Sequence, residues 1–234
     1  LVDLRQRVDE ALKQCASMQV AAQKFVDILF EEFEESTVLA RVYGTVAFRE
    51  LPARDREFVR KLAGIRECSS ELNDETTVIS LLGTRGKESS WNDRYNSAGR
   101  LGIPVLSCSF IKTIPMVSVL VAETATGVSW MEKQKSKILA TSLGKMARMI
   151  YVHDAATDLT GGGVKTVSVQ SFVWDHDVKT VIGLGGSYLN GSFVSIMIFT
   201  NETVTSEMAK KFMPLVNTFK TATTAQVMNR KFFS

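Results

Sequence analysis

The seven residues from Phe193 to Phe199, FVSIMIF, hold a single polar side chain, Ser195. Aromatic and β-branched residues fit a pleated surface, and a nearly unbroken apolar run reads as a strand covered on both faces. Just ahead of it stands Asn190-Gly191, a dipeptide that tolerates positive φ and signals a hairpin turn. Val178, Val181, Ile182 and Leu184 supply the partner strand on the other side of that turn. A hairpin whose second strand is apolar on both faces demands layers above and below it. The rest of the chain must supply them.

The segment after the hairpin has the right pattern for one layer. Met208, Phe212, Leu215, Val216, Phe219 and Ala222 recur at spacings of three and four, one face of a helix. Thr205 stands at the N-cap position and Glu202 and Glu207 put negative charge near the positive helix end. Pro214 would remove a hydrogen bond inside this helix, so the pattern predicts a kink there or a later start. At the other end of the chain, Leu4, Val8, Ala11, Leu12, Cys15, Met18, Ala22, Phe25, Ile28 and Leu29 predict one long amphipathic helix over 2–35. The Glu31, Glu32, Glu34, Glu35 cluster reads as its solvated end rather than as a paired-carboxylate site.

Further strands are predicted near 37–48, 76–83 and 148–153, beside hairpin strands at 178–187 and 191–200. Gly44 marks a candidate bulge in the first of these. A short helix is expected over 53–62, another over 110–124 with Pro115 in its first turn, and a short strand over 164–169. Gly83-Thr84-Arg85-Gly86-Lys87 has the look of a phosphate loop. Its glycines are too close together, however, and Glu88 follows the lysine where Ser or Thr is needed. The densest polar and aromatic stretch is Trp91 to Pro104. It reads either as a surface loop pinned by a buried tryptophan or as the wall of a ligand pocket.

Composition excludes several classes. Hydrophobic residues make up 45% and charged residues 23%, a globular balance. A net charge of +3 carries no basic stripe for nucleic acid, and the basic stretch 132–147 reads as a solvated face. No apolar run approaches the roughly 20 residues that span a bilayer, and no secretory signal pattern opens the chain. Leu1 is not a start residue, so the sequence reads as a processed product or a piece of something longer. Cys15, Cys68 and Cys108 are odd in number and lack CxxC spacing, which predicts free thiols in a reducing compartment. His153 and His176 have aspartates nearby but no HxxxH or HExxH spacing, so no metal site is predicted. No GxSxG elbow, Cys–His pair or strand-to-helix glycine loop suggests catalysis or dinucleotide binding.

The order of hydrophilic lead-in, Val178-Lys179-Thr180-Val181-Ile182-Gly183, Asn190-Gly191 turn, Phe193–Phe199 strand and amphipathic helix resembles the C-terminal half of a GAF domain. Lys179 matches a basic residue common before the strand, and Gly191 matches a glycine entering the next apolar run. The likeness is best over 172–225 and thin over 85–147. It is to the sensory modules found beside PAS and histidine-kinase domains in bacterial signalling proteins. The resemblance implies an α/β (α+β) fold over 1–234, with an antiparallel sheet, terminal helices (1–36 and 203–228) on one face and the long 85–147 connection on the other. It implies a non-catalytic, cytoplasmic regulatory domain that holds a small molecule between the sheet and the 91–116 segment. The ligand-binding residues expected on that basis are Trp91, Arg94, Tyr95, Phe110, Met116, His153 and Asp154. Arg94 would pair with an anionic group, Trp91 would stack, and His153 and Asp154 would hydrogen-bond. The cofactor is left open. The expected partners are that ligand, a second copy through the terminal helices, and a kinase or other output domain, with neither nucleic acid nor membrane. The competing reading is a dimerisation or partner-docking module without a ligand.

Overall fold

The computed structural model describes residues 2–96, 101–106, 148–160 and 163–234. Its strands are β1 (Thr37–Ala47), β2 (Thr77–Gly86), β3 (Gly102–Pro104), β4 (Arg148–Val152), β5 (Thr180–Ser187) and β6 (Phe193–Thr200). They form one antiparallel six-stranded sheet in the order β3-β2-β1-β6-β5-β4. The apolar run Phe193–Phe199 thus lies near the middle of the sheet, flanked by β1 and β5, and all of β6 is buried. Gly191 closes the hairpin with φ +84°, a conformation that side chains with a Cβ rarely adopt.

Helices α1 (Val2–Leu12) and α2 (Met18–Glu32) occupy the region where one helix over 2–35 is expected. The apolar spacing runs through the break, which hides it. Ser17 is the reason for the break: it is an N-cap, and its hydroxyl accepts from the Val20 amide at 3.3 Å. The C-terminal tail completes the cap. Carbonyls of Lys231 and Phe232 accept the amides of Met18 and Gln19, each at 2.9 Å, which leaves fewer orphan donors in the first turn.

Helix α3 (Ala53–Ile65) packs beside β3, and α4 (Gln170–Asp175) precedes β5. The C-terminal pattern divides into α5 (Ser206–Lys210), capped by Thr205, and α6 (Met213–Met228), with Pro214 in its first turn. The proline therefore marks a later start, as one of the two sequence expectations has it. Met208 is exposed, and Ala209 is the buried residue of α5. The strand expected over 164–169 is reduced to one bridge, Leu159 to Lys165. The helix expected over 110–124 lies outside the described residues, as do Cys108 and the basic stretch 132–147. No helix among the described residues is long and apolar enough to cross a membrane.

Two cores result. On one face α1, α2 and α6 cover Ala40, Val42, Val46, Leu82, Ile182, Leu184, Val194, Ile196 and Ile198. Phe25 of α2 meets Phe219 of α6 edge to face, centroids 5.3 Å apart. The opposite face carries Leu39, Ile79, Ile150, Val181, Phe193, Met197 and Phe199, with Trp91 and Phe172 packed against them. The bulge expected at Gly44 falls one residue away, between Val42 and Tyr43, where β2 supplies Leu82 as an extra residue. Gly44 itself leaves room for the Leu82 side chain, whose Cδ1 would stand 2.7 Å from an added Cβ.

Tyr188 sits in the helix-covered core. Its hydroxyl lies 2.7 Å from Thr223 Oγ1, and burial pushes its pKa far above the ordinary value of 10.0. Above about pH 10 the unfolded phenol releases its proton while the folded one keeps it. Stability is therefore intact below that pH and falls above it, by up to about 1.4 kcal/mol per pH unit. Urea titrations at pH 9 to 12 should show this slope in the wild type and a flatter one in Tyr188→Phe. Parallel curves would rule Tyr188 out as its source.

Candidate functional site

Alternation along the strands decides which polar groups face the second core. Gly83 and Arg85 point to α2, since a Cβ on Gly83 would strike Ala22 and the Arg85 guanidinium lies over Phe30. Thr84 between them therefore points the other way, as does Gly86, whose added Cβ would meet Trp91. Arg41 is the register partner of both Thr84 and Met197. Arg41 Nη1 donates to the Tyr43 hydroxyl at 3.5 Å, and Ser195 Oγ donates to Met197 Sδ at 3.6 Å. Thr84, Arg41, Tyr43 and Ser195 thus make a polar centre in an otherwise apolar face. Thr84 Oγ1 has no hydrogen-bond partner among the described residues although Thr84 is 0% exposed. A buried hydroxyl left unpaired costs about 1–3 kcal/mol.

The expected ligand residues divide among three places. Trp91 packs against this second core: its ring lies 5.5 Å from Phe172 and 4.6 Å from His176, centroid to centroid. Asn92 anchors the same loop by accepting the Gly86 amide at 2.9 Å.

Arg94 departs from its expected role. It is only 4% exposed, and its guanidinium donates to Asp55 through both Nη1 and Nη2 and to the Leu81 carbonyl through Nε at 2.8 Å. Its charge is met inside the chain, so it clamps the loop to α3 and β2 rather than receiving an anion. Burial pushes the Asp55 carboxyl up, and the Arg94 hydrogen bonds and charge draw it back. Tyr95 is stacked under both Arg54, at 4.4 Å, and Arg94, at 4.8 Å. Phe110 and Met116 lie outside the described residues.

His153 and Asp154 follow β4 and line an outward cleft of about 430 Å³ together with Trp174, Asp177, Lys179 and Thr203. His153 Nδ1 is 3.0 Å from the Tyr151 hydroxyl, which donates to the Val204 carbonyl at 2.6 Å. The Asp154 carboxylate accepts the Thr157 hydroxyl at 2.7 Å and the Ala156 amide at 2.9 Å. These bonds, the first above all, hold its pKa below the ordinary carboxylate value.

Sequence reasoning missed Thr84, Arg41, Tyr43 and Trp174. Strand alternation in TVLARVYGTVAF carries the signal for Arg41 and Tyr43. The signal for Thr84 is hidden by the extra residue in β2, which shifts the parity. No group of three His, Cys, Asp or Glu among the described residues is placed to hold a metal ion. Cys15 and Cys68 are free thiols. Burial raises the pKa of Cys15 above its usual value, as expected of an inert core thiol.

No protein-family model matches the sequence, and no curated protein matches it. A solved structure, the phycoerythrobilin-bound GAF domain from a cyanobacterial phytochrome, superposes with a TM-score of 0.50 at 9% identity. The match covers 98% of this chain and 97% of that one. The six-stranded antiparallel sheet with its helices is therefore a GAF-like fold.

Proposed function

We propose that the chain is a single non-catalytic sensory domain, 1–234, that holds a small molecule on the sheet face opposite the terminal helices, under the 91–116 segment. One observation carries this reading: Thr84 offers a fully buried hydroxyl with no partner among the described residues, beside Arg41 and Tyr43, on that face. Buried polar atoms are almost always hydrogen-bonded, and a few converging polar groups in an apolar setting characterise a ligand pocket. The GAF domain of similar fold is bilin-bound, a precedent for a ligand in this architecture. In this reading Trp91 forms part of the pocket rim. The ligand biases the terminal helices through its differential affinity for two states. The helices pair with a second copy and pass the signal to a kinase or other output domain in a cytoplasmic, bacterial-type pathway.

The test is native mass spectrometry of protein purified from cells, before and after denaturation. The expected result is an added mass that denaturation releases. Thr84→Val should weaken its retention by about three- to tenfold, the worth of one neutral hydrogen bond, without lowering the stability of the ligand-free protein. An apo dimer with no added mass would overturn the ligand reading and favour the docking module, with α1, α2 and α6 as the interface.

A further inference from the structure

We propose that the outward cleft between the β4 end, α4 and the start of β5 is a second binding site, for an alkylated ammonium group, separate from the sheet-face pocket. Its volume, about 430 Å³, lies within the range of small-molecule sites. Trp174 lines it and is 67% exposed. A tryptophan ring presents a negative face to a cation, the arrangement by which quaternary ammonium ligands are held. Val173 and Val178, packed in the second core, form part of its floor.

Charge selects a cation over an anion. Among the described residues Asp154 accepts from neutral donors, the Thr157 hydroxyl and the Ala156 amide among them. It has no Lys or Arg within ion-pair distance among the described residues. Its negative charge is therefore held in place, and among the described residues the adjacent His153 offsets it only weakly. The lysine of the cleft, Lys179, is matched by Asp177 at 2.7 Å, so these two nearly cancel. Residues 153–179 carry four aspartates against two lysines, in a chain whose net charge is +3. The second lysine, Lys165, is turned to the Ala156 carbonyl.

The test is a titration of the full chain with choline, followed by heteronuclear NMR and calorimetry, beside its uncharged isostere 3,3-dimethylbutan-1-ol. The expected result is saturable choline binding that moves the Trp174 indole and Asp154 amide signals, with the isostere about tenfold weaker or worse. Trp174→Ala should cost about tenfold in affinity and Asp154→Asn about fivefold. Trp174 is mostly exposed, so its replacement spares the fold, and Asn keeps an oxygen for the 154–157 turn. A peptide carrying trimethyllysine separates the sources: tighter binding than choline assigns the cation to a partner's side chain, weaker binding to a free molecule. Equal binding of choline and the isostere, affinity unchanged in both variants, or uptake of adenosine monophosphate while choline stays inert would each overturn the proposal.

Discussion

Replacing Arg94 by Met should destabilise the protein by about 3–5 kcal/mol, the cost of leaving one member of a buried ion pair alone. Asp55 is 0% exposed, and among the described residues the guanidinium is the one group that hydrogen-bonds its carboxylate. The Leu81 carbonyl loses its Nε donor at the same time. The loss has a pH signature. Without Arg94, the charge of Arg54 alone opposes desolvation at Asp55, and the folded pKa of Asp55 rises further. A group so raised favours the fold below its unfolded value and disfavours it as pH climbs through the folded one. The variant should therefore be closest to wild type in mild acid and furthest from it at neutral pH. The double variant Arg94→Met, Asp55→Leu should recover most of the loss, since well-packed apolar pairs replace buried ion pairs at little cost. Urea midpoints at pH 5 and pH 7.5 would check both points. A loss under about 1 kcal/mol at pH 7.5 would mean that the clamp contributes only what an exposed ion pair does.

Arg94 also shows where sequence reading stops. A lone arginine among Trp91, Tyr95 and Asn92 looks like an anion receptor, because its partner Asp55 lies 39 residues away on another element. The hairpin of β5 and β6 was legible because its evidence is local: Asn190-Gly191 at the turn and β-branched runs on either side. Pro214 was legible for the same reason. The break between α1 and α2 was not, since Leu12, Cys15 and Met18 keep helical spacing through it. The capping hydroxyl of Ser17 is one residue, and the tail carbonyls that share its task come from residues 231 and 232. Strand β3 escaped notice because it is three residues long and ends in Pro104, tolerated there because β3 is a sheet edge. In the candidate pocket, strand alternation marks Arg41 and Tyr43, whereas Thr84 becomes visible only once the Leu82 bulge is known. The stretch Gly83-Thr84-Arg85-Gly86 is not a phosphate loop. It is the distal half of β2, and its glycines answer to packing.

That packing makes Gly83→Ala the second large expectation, a loss of about 3 kcal/mol, the upper end of what overpacking costs. A Cβ at this position would stand 2.5 Å from the Ala22 carbonyl carbon and 2.6 Å from both the Ala22 oxygen and the Gln23 nitrogen. These are backbone atoms of α2, so no side-chain rotation relieves the clash and the helix itself must withdraw. The withdrawal has a second cost. The Gln23 side chain donates to the Thr84 carbonyl at 3.0 Å and accepts the Thr84 amide at 3.2 Å. It thereby covers backbone groups that β3 is too short to reach on the outer edge of β2. Gly44→Ala is the matching control, because its Cβ would meet only the Leu82 side chain, at 2.7 Å, which can turn aside. It should cost about 1 kcal/mol. If Gly83→Ala proves no worse than Gly44→Ala in urea unfolding, α2 is not held against β2 as tightly as its backbone contact implies. If it is markedly worse, the close approach is confirmed. Thr84 is then gripped on its backbone by a terminal helix while its hydroxyl faces the proposed ligand. A ligand that draws on that hydroxyl would pull on the same residue that α2 holds, which gives the site a direct mechanical route to the helices.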